Sequence, residues 1–397
     1  MLRNYLKIAL RNFFRQKTYA FINIFGLAVG IGCCALLALY IQNELSYDRF
    51  HELGDRIYRV ITDYVWGPGM ASRGPGTYGE LALEIEKTFP EIQRAVRIRY
   101  RKSATMVKHS GEYTAIDEVL FTDAGFFEIF SFPLLRGNSA KILEKRGFDS
   151  TFVDLVLTAS LARKLFGDGD PVGQVLEMEV GEKEETFAVT AIVADPPENA
   201  HFTFDMLAPF QTLYRTRIAI NNNQFWTYLL LREGHQARDL ENKLPAFAQT
   251  YHGKEYVEEH AFRYELQPLH RIYFGEEDAP NKGDLRYIAI FSGIALLILL
   301  IACANFMNLA VARSFQRTRE VGVRKVLGAR RSQLVRQFLG ESILFCLLAI
   351  PLAIGIVELV LPAMSALAGK TLILDLGANV AFLLFLGGIV LFVAIVA

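Results

Sequence analysis

Apolar side chains along this chain follow two different rhythms. Four stretches are apolar almost without interruption: residues 20–42, 287–312, 338–362 and 378–397. The first reads AFINIFGLAVGIGCCALLALYI and carries no charge. A helix needs about 20 such residues to cross a hydrocarbon core of about 30 Å, so all four stretches are predicted transmembrane helices. The first is too long for the apolar region of a signal peptide. No small-x-small cleavage site follows it in QNELSYDRF, so it reads as an uncleaved span. Pro351 predicts a kink in the third. The fourth is still apolar at Ala397, which leads us to expect a longer parent chain.

Residues 43–285 keep a different rhythm. DRIYRVITDYVW alternates as a strand does, and EIQRAVRIRYR does so again. Between them TYGELALEIEKTF is helical, with Thr77 as N-cap and Glu80 three positions on. Near the end QFWTYLLLREG, ARDLENKLPAFAQTY and AFRYELQPLHRIYF repeat strand, helix, strand. Residues 113–213 differ: FVDLVLT is a strand, ASLARKLFG a helix, and EVGEKEETFAVTAIVA two strands joined across Gly181. The expectation is an inserted α+β domain made of two subdomains, the second (about 113–213) interrupting the first.

Charge supplies the topology. The chain is formally neutral, yet basic residues cluster before the first apolar stretch (Arg3, Lys7, Arg11, Arg15, Lys17) and between the second and third (Arg313 to Arg336, opposed only by Glu320). Cytoplasmic loops carry such excess Lys and Arg. Both clusters then lie inside the cell, with residues 43–285 and 363–377 outside. This asymmetry is a membrane-topology signal, and we expect no nucleic-acid partner. Residues 1–18 also place Arg3, Lys7, Arg11 and Arg15 in one row beside Leu2, Leu6, Leu10 and Phe14, an amphipathic helix suited to membrane lipid at the cytoplasmic interface.

Candidate chemistry is sparse. All four cysteines fall in apolar stretches, so residues 43–285 hold no disulfide framework. His252 and His260, with Glu255 and Glu259, fit no metal-ligand spacing and read as a solvated helix face. GDGDPVG (167–173) lacks the length and bidentate acid of a calcium loop and reads as turns. Neither a nucleophile elbow nor a phosphate loop occurs. No catalytic, cofactor or metal residue is assigned, and the chain is not expected to be an enzyme. Gly26 and Gly30 form a small-xxx-small pair suited to close helix packing. Glu341 and Glu358, the acids of the third stretch, read as interface-solvated.

The segment REVGVRKVLGARRSQL, 319–334, is different in kind. ARSFQRTREVGVRKVLGA has no breaker before Gly328, so the helix of the second span continues past the membrane, turns, and leads into the third. RTREVGVRKVLGARRSQLVRQFLGES resembles the segment joining the second and third spans in permeases of the MacB/FtsX type, the mechanotransmission ABC transporters. Their usual form is R-x-x-E-(I/V)-G-(I/V)-R-K-(V/A)-L-G-A. Arg317, Glu320, Val321, Gly322, Val323, Arg324, Lys325, Val326, Leu327, Gly328 and Ala329 match it without a gap. FINIFGLAVGI, ELSYDRFHELGDRIYRV, FFEIFSFPLLRGN, LTASLARKLFGDGDPVGQ and FAVTAIVADPPENAHFTFDML are similar to other blocks of the family. The chain looks most like the N-terminal half of the long permeases common in Bacteroidota.

The resemblance implies a fold and a role. The fold is an α-helical membrane protein with four transmembrane helices and an α+β extracytoplasmic domain of porter-like and sabre-like subdomains. Residues 286–397 would form an FtsX-like domain, and residues 313–336 would carry the coupling helix that docks on a separate ABC ATPase subunit. ATP and magnesium are then expected on that partner and not on this chain. A homodimer, a heterodimer or an internal pseudo-dimer with a second permease half is implied, as is an outer-membrane or periplasmic partner. Two other classes stay open on the residues alone. One is a membrane-anchored sensor signalling through its basic cytoplasmic loop; the other is an anchored enzyme on the outer side.

Overall fold

The computed structural model describes residues 17–137, 143, 152–181, 183–215, 220, 222–277, 279–326, 331–375, 377 and 380–396. The predicted amphipathic helix falls almost wholly outside these residues. The chain divides into two units, Met1–Leu45 with Asp284–Ala397, and Ser46–Gly283.

In chain order, helix α1 spans Lys17–Leu45. The second unit then begins with β1 (Ile57–Gly67), β2 (Met70–Gly74), α2 (Leu81–Thr88) and β3 (Ile92–His109). It continues with β4 (Glu112–Thr122), α3 (Phe126–Ile129), β5 (Leu134–Arg136), β6 (Val153–Thr158) and α4 (Ala159–Phe166). Next come β7 (Val175–Val180), β8 (Lys183–Val193), β9 (Met206–Pro209), α5 (Gln211–Arg215) and β10 (Trp226–Leu231). Helices α6 (Ala237–Glu241), α7 (Leu244–His252) and α8 (Lys254–Glu259) precede β11 (Arg263–Pro268). The chain then returns to the first unit with α9 (Leu285–Val326), α10 (Arg331–Ala368) and α11 (Val380–Val396).

Two strand arrangements share β3. The first runs β11-β1-β10-β3, all neighbours antiparallel. With α2 between β1 and β3, and α6–α8 between β10 and β11, this is a split β-α-β pattern. Alternation sorts its side chains. Leu229 and Leu231 of β10 pack with Leu81, Ile85 and Leu244 under the helices. Tyr228 and Leu230 face a phenylalanine-rich cluster of Phe126, Phe130, Phe132, Phe202 and Phe204.

In the second arrangement β3-β4-β9-β6-β8-β7 pair in succession, and β7 returns to β3 through Val107 and Met178, closing a ring of six strands. Its interior holds Val119, Phe121, Leu155, Leu157, Phe187, Val189 and Met206, all fully buried. A boundary at residue 113 would cut this ring. β3 and β4 are one hairpin turning at Ser110 and Gly111, both with positive φ, and β3 already serves the ring at Val107.

Three local expectations change. Thr77 does not cap α2, which starts at Leu81 after an N-cap position at Glu80 without a side-chain cap. Thr77 is instead fully buried in a backbone bridge to Phe225, its hydroxyl donating to the Phe225 carbonyl and lying 2.8 Å from the Thr227 hydroxyl. ARDLENKLPAFAQTY makes two helices, because Pro245 starts a new one at the first turn of α7. His252 and His260 are half-buried among Tyr256, Phe262 and Tyr264 and do not form a solvated face; the His252 Nε2 lies 2.6 Å from the Tyr264 hydroxyl.

In the first unit, among the described residues, three helices are long and apolar enough to cross a membrane: Ala20–Leu45, Leu285–Leu309 and Ser342–Ala368. Phe382–Val393 is a shorter apolar helix. α1 packs on α9 and α10 through Leu27, Ala28, Ile31 and Ala35, which meet Cys303, Phe306, Ala349 and Ala353. α10 continues through Pro362, six residues beyond the predicted end of that span. It stops at Gly369, whose φ of +63° only glycine adopts freely. The Lys370 amide then donates to the Ser365 carbonyl, the closure expected of a glycine-terminated helix.

Candidate coupling and packing sites

Asp284 starts α9 by accepting the Arg286 amide on its carboxylate at 2.8 Å, a side-chain cap. From there the helix runs unbroken to Val326. At 1.5 Å per residue its 42 residues measure about 63 Å, roughly twice a hydrocarbon core. The apolar part ends near Leu309. Arg317, Glu320, Val321, Gly322, Val323, Arg324 and Lys325 therefore lie on a helical continuation of the span. Gly322 is carried inside it at a cost of about 1 kcal/mol relative to alanine. Leu327, Gly328 and Ala329 lie outside the described residues, and α10 begins at Arg331.

Gly26 and Gly30 face α9. A β-carbon at Gly26 would stand 3.2 Å from the Asn305 amide nitrogen, and one at Gly30 2.6 Å from the Ala302 β-carbon. The helices approach there because glycine presents no side chain. Of the acids singled out in the third span, Glu358 is exposed; nothing is described for the Glu341 side chain.

Glu44 went unnoticed in the sequence. It lies inside the last turn of α1, almost wholly buried, and pairs with Lys370 just beyond α10. The Lys370 ammonium also stands 5.8 Å from the Tyr40 ring centroid. One charge near the end of an apolar run and one in a short connecting loop were the available signal. Nothing in their spacing links them across 326 positions.

The second unit contains a buried polar chain that the sequence also hid. Asp48 and His201 have fully buried side chains, 2.8 Å apart from Oδ1 to Nδ1. The same Oδ1 accepts the His201 backbone amide at 3.0 Å. A carboxylate only accepts, so His201 carries its proton on Nδ1, and in the neutral ring Nε2 takes the Tyr228 hydroxyl at 2.8 Å. Tyr228 is also hydrogen-bonded to Arg59, and burial pushes its phenol pKa up. Arg59 donates twice to Gln267, Gln267 donates to Glu277 at 2.6 Å, and Glu277 accepts from Arg73 at 3.0 Å. Low dielectric strengthens the hydrogen bonds of such a chain, while the second carboxylate oxygen of Asp48, Oδ2, is buried with no hydrogen-bond partner among the described residues.

Beside it, burial lowers the His51 imidazole to about 4, with Asp48 pulling it up and His201 pushing it further down. Its Nδ1 accepts the Ser131 amide at 3.0 Å. Among the described residues no group of three or more His, Cys, Asp or Glu side chains is disposed to hold a metal ion.

Residues 20–247 match the MacB-like periplasmic core domain, and residues 292–397 match the FtsX-like permease C-terminal domain. The chain belongs to the MacB/FtsX-type ABC permease family. Among curated relatives, a macrolide export ATP-binding/permease protein MacB of Chromobacterium violaceum is 25% identical over 81% of this chain and 47% of its own length. Its namesake in a Shewanella species is 23% identical over 89% of this chain and 52% of its own. This chain thus spans about half the length of these relatives. A solved permease-protein domain from Porphyromonas gingivalis is 23% identical, covering 57% of this chain and 94% of the domain, with a TM-score of 0.45.

Proposed function

We propose that this chain is the permease part of an ABC transporter. It converts ATP hydrolysis on a separate nucleotide-binding subunit into movement of residues 46–283, for export, efflux or transmission of force across the membrane. The observation that carries this reading is the continuity of α9, an apolar span that extends as helix into the motif containing Glu320, Arg324 and Lys325. A rigid rod of that kind delivers a push at one end to the other.

In this reading Arg317, Glu320, Arg324 and Lys325 form ion pairs with the ATPase. Val321, Val323 and Leu327 contact it, and Gly322, Gly328 and Ala329 permit close approach and the turn. ATP and magnesium reside on the partner. The N-terminus and residues 313–336 are cytoplasmic, residues 46–283 extracytoplasmic, and α11 is the fourth span. The split β-α-β sheet is the porter-like subdomain and the six-stranded ring the sabre-like one. The working assembly pairs this half with a second permease half, in the same chain or another, and engages a partner on the outer side.

The test is ATPase activity of the partner reconstituted with the full permease in proteoliposomes. Arg324→Glu with Lys325→Glu is expected to abolish permease-dependent stimulation while membrane insertion is unchanged. Stimulation equal to that of the unaltered protein would remove the motif from the mechanism.

A further inference from the structure

Ser46–His51, where the chain comes into the second unit, and Ile272–Gly283, where it goes out, are far apart in sequence. Both are fastened to one loop, residues 197–204. On the incoming side, the Asp48 carboxylate holds the His201 amide and ring, the Asp48 amide donates to the Asn199 carbonyl at 2.8 Å, and the Asn199 side chain donates to the Ser46 carbonyl and hydroxyl at 3.0 Å. On the outgoing side, the Asn281 side chain donates to the Ala200 carbonyl at 2.8 Å and its amide to the His201 carbonyl at 3.3 Å. Tyr47 stacks on Tyr273 with ring centroids 3.4 Å apart, joining the two segments directly. Asp48 adopts a φ of +58°, a conformation that favours glycine and that Asp enters more readily than most residues.

His201 has a second attachment. Its Nε2 lies 2.8 Å from the Tyr228 hydroxyl in the middle of β10, which is paired with β1 on one side and β3 on the other. β3 is the strand shared with the six-stranded ring. Anything that displaces the loop therefore pulls on an inner strand of the split β-α-β sheet.

We propose that Asp48, His201 and Asn281 form a clasp that makes the incoming and outgoing segments move as one body and passes their displacement to the sheet through Tyr228. His201 is thus a positioning residue for force transfer. Its use in transport rests on the permease reading, but the fastening itself does not. Independent movement of the two segments would be absorbed between them; a clasped pair delivers it to β10.

The test is amide hydrogen exchange on the full chain in lipid nanodiscs, with Asp48→Asn, Asn281→Ala and Tyr228→Phe compared singly. Tyr228→Phe removes one hydroxyl and keeps the ring against Phe130, so it guards against a result that reflects failed folding. Asp48→Asn is expected to speed exchange in residues 272–283, which it does not touch, by about tenfold, the size of losing one charge-assisted hydrogen bond. Asn281→Ala is expected to do the same in residues 46–51. Tyr228→Phe should loosen the loop 197–204 and both segments together while β6 and β8 keep their protection. Loosening confined to the segment that carries each substitution overturns the clasp, and so does a uniform rise throughout the unit. The outcome does not depend on whether an ATPase binds, so failure here is distinguishable from failure of the permease reading.

Discussion

Gly30 of α1 lies so close to Ala302 of α9 that a β-carbon on Gly30 would stand 2.6 Å from the Ala302 β-carbon. Lipid tails supply no hydrophobic drive between spans, so close packing of this kind is what holds them together. Gly30→Val should separate α1 from α9 at a cost of about 1–3 kcal/mol, the usual range for overpacking. All four cysteines lie in this unit, with Cys34, Cys303 and Cys346 buried, so thiol modification reports on it selectively. Gly30→Val should accelerate labelling in detergent, and Gly293→Val, where a β-carbon meets nothing within 4 Å, should not. Equal rates in the two variants would mean the contact holds nothing.

Glu44 and Lys370 make a second connection inside the same unit. Lys370→Met strips a nearly buried carboxylate of its cationic partner, a change expected to cost roughly 3 kcal/mol. Adding Glu44→Gln removes the charge left behind and should recover most of the loss. Thiol protection of the single and double variants measures it; a double variant worse than Lys370→Met alone contradicts the pairing.

His51 predicts an acid response. Burial holds its imidazole at about 4, whereas in the unfolded chain it titrates near ~6.5. Between these values the unfolded state binds the extra proton. Stability is therefore full above about pH 6.5 and falls as pH drops towards 4. The loss is roughly 3 kcal/mol, at about 1.36 kcal/mol per pKa unit. Both tryptophans, Trp66 and Trp226, lie in residues 46–283, so urea unfolding followed by their fluorescence isolates that unit. His51→Asn, which keeps an acceptor for the Ser131 amide, should flatten the slope over this window. An unchanged slope assigns the acid sensitivity to another group.

How much of this was legible in the sequence depends on the range of the cause. Spans announce themselves because twenty apolar residues in a row have few other uses. ASLARKLFG was readable as a helix because its punctuation is local: Thr158 accepts the Leu161 amide and Gly167 ends the turn at positive φ. Thr77 misled because a buried β-bridge to Phe225, 148 positions away, took the side chain that local grammar assigned to a cap. The closed ring could not be seen because it depends on Val107 meeting Met178, a register that no single strand encodes. The Arg317–Ala329 motif was legible as a string of residues. The Glu44–Lys370 and Asp48–His201 pairs were not, since each joins residues more than 150 positions apart.

The most direct test of the central claim is affinity isolation of the native full-length protein from membranes, with partners identified by mass spectrometry. It would be run beside a variant reversed at three positions, Glu320→Lys, Arg324→Glu and Lys325→Glu. The permease account predicts an ABC ATPase that co-purifies with the unaltered protein and is lost from the variant, with both forms equally inserted and folded. An intact, folded protein that brings down no ATPase in either form would contradict it.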